Sequence, residues 1–194
     1  MITAFRLIFS PFEAWTRITA AQRSVPFILG SFLLPLLVVC VGIESYSLLH
    51  WGERRGEFGM LIKVPQPVVL EYALAQVLLL LACVLLSAFS LQAITNSFNV
   101  AATYRQAFTA VAYGMSPIIL ARLLDAFPPF PTWVCWAIGA LLSVSVLYHG
   151  VALALRPEQT KGFGLYLVAI LIVILSSGVA HFIALTVLRG KAFL

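Results

Sequence analysis

Residues 68–94 read VVLEYALAQVLLLLACVLLSAFSLQAI, and no charged residue follows Glu71 until Arg105. A run of about 20 apolar residues is enough to cross the hydrocarbon core of a bilayer. In lipid the backbone N–H and C=O groups have no water to bond. They must therefore be satisfied within the segment, as in an α-helix. A membrane β-barrel would instead alternate polar and apolar residues in segments of about ten. This block reads as a membrane-spanning helix, and the rest of the chain repeats its character.

Further apolar runs cover 25–43, 106–124, 132–155 and 163–188. Together with 68–94 they predict an all-α polytopic protein of five transmembrane helices in one domain, 25–194, preceded by a short interfacial lead-in, 1–24. Composition agrees: the 194 residues are 62% hydrophobic and 10% charged, against about 25% charged in a soluble domain. Short connections make consecutive helices antiparallel. The longest connection holds Glu53, Arg54, Arg55, Glu57, Lys63 and Pro65-Gln66-Pro67, and is too short for a separate domain. Pro35 lies inside the first run and predicts a kink.

The run 106–124 is the weakest. Arg105 and Arg122 bracket it, and Gly114 and Pro117 interrupt it. Two readings stand. It is an ordinary kinked span whose Arg122 reaches back to the interface, or a discontinuous segment of the kind that forms substrate sites in transporters.

In the lead-in, Ser10, Pro11 and Glu13 form a helix start, with Ser at the N-cap and Glu three residues on. Phe12, Trp15, Ile18 and Ala21 then recur on one face, while Arg17 and Arg23 lie mainly elsewhere. An aromatic face with basic flanks predicts a helix lying in the headgroup plane. Packing of the same helix on the ends of the bundle is the other reading. Phe12, Trp15, Arg17, Arg23 and Arg122 are the candidate interfacial anchors.

The net charge is +5, but the basic residues stand at the ends of apolar runs. That is a membrane pattern, not the clustered face of a nucleic-acid binder. With the N-terminus cytoplasmic, Arg6, Arg17, Arg23, Arg105, Arg156 and Lys161 fall inside, and Arg54, Arg55, Lys63, Arg122, Arg189 and Lys191 outside. The tie means that the positive-inside rule favours neither orientation. The basic lead-in alone favours N-inside, and no cleavable secretory signal is expected.

Chemistry-bearing residues are few. His181 is the ionisable side chain placed well inside a run, with Ser177 one turn before it, so the two form a candidate membrane-interior polar site. The alternative is a neutral histidine bonded to serine or to a neighbouring helix. Glu44 and Glu71 bracket the first connection as a paired acidic site or as solvated headgroup-level acids, and Arg122 and Asp125 are spaced to pair. Ser176, Ala180 and Ala184, and likewise Cys135, Gly139 and Ser143, form small-residue stripes suited to helix packing. The three cysteines are spaced far apart and read as buried small hydrophobes. No hydrolase, zinc-protease, P-loop or dinucleotide motif occurs. No enzyme, metal or cofactor is expected.

Five motifs carry a family resemblance: IFSPFEAW (8–15), VPFILGSFLLPLL (25–37), AYGMSPIILARLL (112–124), LYHGVALALRP (147–157) and EQTKGFGLYLVAI (158–170). The chain resembles the small prokaryotic members of the Yip (Ypt-interacting protein) domain family, with Tyr113, Gly114 and Pro117 matching the central aromatic-glycine-to-proline segment. The resemblance implies five helices, a cytoplasmic N-terminus and residence in a prokaryotic inner membrane. Eukaryotic relatives bind Rab GTPases. The long cytosolic region and acidic-aromatic motif of those relatives do not occur in this sequence, and no segment offers the ~800 Å² of a standard interface. The expectation is a non-enzymatic scaffold or accessory subunit in contact with lipids and with other membrane proteins or a second copy. The alternative is a small transporter or channel component with a site near the broken third span.

Overall fold

The structure is a computed structural model, and it describes residues 2–55, 60–127 and 130–190. Glu57, Lys191, Pro128 and Pro129 lie outside the described residues, as do the side chains of Arg54 and Arg55. Among the described residues five helices are long and apolar enough to cross a membrane: Val25–His50, Gln66–Ser97, Tyr104–Ala126, Thr132–Leu155 and Thr160–Gly190. The last of these begins one residue earlier as a helix, at Gln159.

The lead-in is two helices, not one: α1 (Ile2–Phe9) and α2 (Pro11–Ala21). Proline at the first helical position starts α2 as its sequence predicts, but Ser10, though at the N-cap, makes no side-chain capping bond. A complete capping box occurs instead at the third span, where Thr103 and Gln106 cap each other. Both lead-in helices pack on the bundle, α2 against the fourth span and α1 against the third and fourth. They bury Ala4, Leu7, Ala14 and Trp15 and leave Ile2, Phe9 and Phe12 exposed.

The first span runs to His50, well past Ile43. Residues Leu29–Leu33 form a π-helical turn, and Leu34–His50 continue as α-helix. Pro35 explains the turn. It has no N–H to return to the carbonyl one turn back, and a wider turn absorbs the mismatch. Between the first and second spans, β1 (Glu53–Arg55) and β2 (Met60–Ile62) pair antiparallel, with Glu53 opposite Ile62. Gly52 enters this hairpin at φ 87°, where a β-carbon would run into the Ile62 carbonyl.

The third span is the centre of the bundle. It touches the first, second and fourth spans, and 83% of its apolar window is buried, against 33% for the second and fifth spans. The interruption is real: an α-helix ends at Gly114, a second runs Ser116–Ala121, and Arg122–Ala126 finish as a 3₁₀-helix. Pro117 sits in the opening turn of the middle piece, where its missing N–H costs least. Low hydropathy here reflects protein neighbours, because a helix walled off from lipid need not match it. The outer spans face lipid instead, through stripes such as Leu167, Leu171, Leu175 and Val179.

The small-residue stripes lie at helix contacts. Cys135, Gly139 and Ser143 are all buried. A β-carbon on Gly139 would stand 2.7 Å from the Cα of Ile118, so this glycine lets the fourth span approach the third backbone to backbone. Ala180 and Ala184 are buried, and Ser176 bonds Ser87 across the second and fifth spans at 2.8 Å.

Candidate functional site

A buried polar cluster joins four spans at the end of the bundle away from the lead-in. Glu44, more than a turn inside the C-terminal end of the first span, is 3% exposed. Its Oε1 accepts a bond from the Tyr72 hydroxyl at 2.6 Å, and its Oε2 accepts one from Gln76 Nε2 at 2.8 Å. Tyr72 and Gln76 are four residues apart and therefore share a face of the second span. From the third span, Arg122 Nη1 reaches Glu44 Oε2 at 3.2 Å. Its Nη2 donates to His181 Nδ1, on the fifth span, at 2.9 Å. A guanidinium has no acceptor, so His181 Nδ1 must be the acceptor and the ring the neutral Nε2–H tautomer. Ser47 adds a bond from its hydroxyl to the Ala126 carbonyl at 2.8 Å, tying the first span to the end of the third.

Several expectations change here. Arg122 is not an interfacial anchor: it is 4% exposed and paired inside the bundle, because a carboxylate is available closer than the headgroups. Glu44 is not a solvated acid, and it pairs with Arg122 across 78 positions of sequence, not with Glu71. Arg122 turns to Glu44 and His181, not to Asp125. The Asp125 oxygens are buried beside Cys135 of the fourth span. His181 is buried as expected, but its partner is Arg122. Ser177 donates to the Ile174 carbonyl at 3.1 Å and accepts from Trp136 Nε1 at 3.3 Å, linking the fifth span to the fourth.

Trp15 is likewise not a lipid anchor. It is fully buried, and its Nε1 donates to the Val146 carbonyl at 2.8 Å. Its ring occupies the space that a β-carbon on Gly150 would need, so the absent side chain of Gly150 forms the seat. Trp15 meets Tyr113 edge-on at 6.0 Å, and Tyr113 meets Phe32 at 4.3 Å. Tyr113, Gly114 and Pro117 thus belong to the packed centre, Gly114 leaving room for the Leu147 side chain. Phe12 is 62% exposed and stands edge-on to His149. Arg17 and Arg23 are exposed, the latter over the Phe27 ring at 4.8 Å.

The cluster joins carboxylate, guanidinium and imidazole in a low-dielectric interior, where each group removed would strand another. That arrangement fixes helices to one another. Among the described residues no three His, Cys, Asp or Glu side chains are grouped to hold a metal ion, and the cysteines are free and buried.

Sequence reasoning does not bring Glu44, Tyr72 and Gln76 together. An apolar run that stops at Ile43 falls one residue short of the acid, which then reads as part of the connection. The available signal is the four-residue spacing of Tyr72 and Gln76 in an otherwise apolar helix.

Compared with known proteins, residues 5–188 match the Yip1 domain. No curated protein and no solved structure matches the chain.

Proposed function

The chain belongs to the Yip1 domain family, and from that premise we propose that it is a non-enzymatic membrane scaffold or accessory subunit. It works through its lipid-facing surfaces, on other integral membrane proteins or a second copy of itself. The observation that carries this reading is the Glu44–Arg122–His181 cluster, whose three side chains come from three spans and bond one another inside the bundle. A body stiffened in this way presents fixed outer faces to partners. Its residence is the inner membrane of a prokaryotic cell, with the N-terminus cytoplasmic. Gentle extraction followed by mass spectrometry and sizing tests the role. A stoichiometric membrane-protein partner or a defined oligomer is expected, and a lone monomer without partner would overturn it.

A second reading, a small transporter or channel component, draws on the break of the third span at Gly114–Pro117 beside the buried aromatic centre. Proteoliposome flux abolished by Pro117→Ala and His181→Ala would favour it. Flux indifferent to both would remove its motivation.

A further inference from the structure

At the lead-in end of the bundle, a cleft of about 100 Å³ opens between the end of α2, the start of the third span and the end of the fourth. Arg23, Arg105 and Arg156 all line it, with Gln22, Thr109 and Tyr113 as neutral hydrogen-bonding neighbours. Among the described residues no carboxylate lines it. An adjoining cleft shares Arg23 and Tyr113 and adds Arg6 and Arg17. Among the described residues the acids at this end are Glu13, exposed on α2, and Glu158, which pairs with Lys161 at 2.9 Å. Within the described residues, the positive charge of the cleft therefore has no counterion in its walls. What the arginines do bond is weak or neutral: Arg105 Nη1 reaches the Gln22 carbonyl at 3.3 Å, and Arg23 covers Phe27.

Two of the residues around the cleft also hold an unusual backbone. Gln22 and Arg156, which end α2 and the fourth span, both have positive φ, 41° and 49°. Glycine is the usual residue at such a helix end. At 156 the chain accepts the strain of a side chain there, and that side chain is a guanidinium in the cleft.

Like charges gathered without an acid repel, and an anion relieves the repulsion. Guanidinium forks match phosphate oxygens in pairs. The cleft also lies at the level of the lead-in helices, where Phe12 and Phe9 are exposed; an aromatic helix face of this kind suits a bilayer surface, where anionic headgroups concentrate. We propose that this cleft is a binding site for a phosphate group, that of an anionic phospholipid headgroup or of a soluble phosphate ester. The site is independent of whether the bundle acts as a scaffold.

The full-length protein, purified in mild detergent, is titrated with phosphatidylglycerol and separately with phosphatidylcholine, and adducts are counted by native mass spectrometry. Phosphatidylglycerol should bind more tightly, and Arg105→Gln should weaken it about tenfold, the cost of one charge-assisted bond. Arg156→Gly should weaken it similarly while relieving the left-handed strain, so its thermal stability should not fall, and loss of binding there is not a folding defect. Lys63→Gln, exposed at the opposite end of the bundle, should change nothing. Inorganic phosphate at millimolar levels distinguishes the sources: failure to compete assigns a lipid headgroup, and competition assigns a soluble phosphate. Equal affinity for the two lipids without competition by inorganic phosphate, or adducts unchanged in both arginine variants, would overturn the proposal.

Discussion

Arg122→Met should cost the protein ~3–5 kcal/mol, the usual penalty for leaving a buried charge without its partner. The value should fall toward the lower limit, because Glu44 keeps its bonds from Tyr72 and Gln76 and can take up a proton. Loss of the donor to His181 Nδ1 is part of the same penalty. Glu44→Gln should cost a similar amount, since it strands the guanidinium instead. The informative variant is the double one, Arg122→Met with Glu44→Gln. Position 44 then carries a neutral amide. Its oxygen still accepts from Tyr72, and its NH₂ can donate to Gln76 Oε1, which has no partner among the described residues. What is then lost is the bond to His181, at about 1 kcal/mol, together with the acceptor that Glu44 Oε2 gave to Gln76 Nε2, which the new bond to Gln76 Oε1 offsets. The double variant should thus be more stable than either single one, with a coupling of at least ~2 kcal/mol. Reversible unfolding in mixed micelles at increasing denaturing detergent would measure all four corners. Additive losses, or single variants each costing under ~1 kcal/mol, would refute the role of the cluster in locking the helices together.

Gly139→Ala should destabilise by ~1–3 kcal/mol, since the new methyl group meets the backbone of Ile118; Gly114→Ala, which meets the movable end of Leu147, should cost less in the same unfolding assay. Trp15→Phe keeps most of the ring and loses the bond to Val146, so a loss of about 1 kcal/mol is expected, whereas Trp15→Ala should free the lead-in and expose it to limited proteolysis. Because the native cysteines are buried, single cysteines introduced in place of Thr3 and of Lys63 should react with a membrane-impermeant thiol reagent from opposite sides of the membrane, position 3 from the cytoplasmic side; labelling of both from one side would contradict the five-span topology.

The five apolar blocks, the helical state forced by lipid and the proline start of α2 can all be read along the chain, because each depends on residues within a few turns of one another. The small-residue stripes are local in the same sense, and they lie at helix contacts as their spacing suggests. What cannot be read is the environment of a polar side chain. Arg122 near the end of a weakly apolar run looks like an arginine reaching for headgroups, and Trp15 on an aromatic face looks like a lipid anchor. Both are interior because Glu44 and Gly150, 78 and 135 positions away, come to meet them.

The run 68–94 is determined by its own composition: nothing but a membrane helix accommodates it. The third span is the opposite case. Its low hydropathy, Gly114 and Pro117 make sense only once the other helices enclose it, because lipid demands apolarity of what it touches and makes no demand on what neighbouring helices cover. Periodicity is a property of one segment, whereas burial and charge pairing belong to several segments at once, and that is why only the tertiary structure decided them.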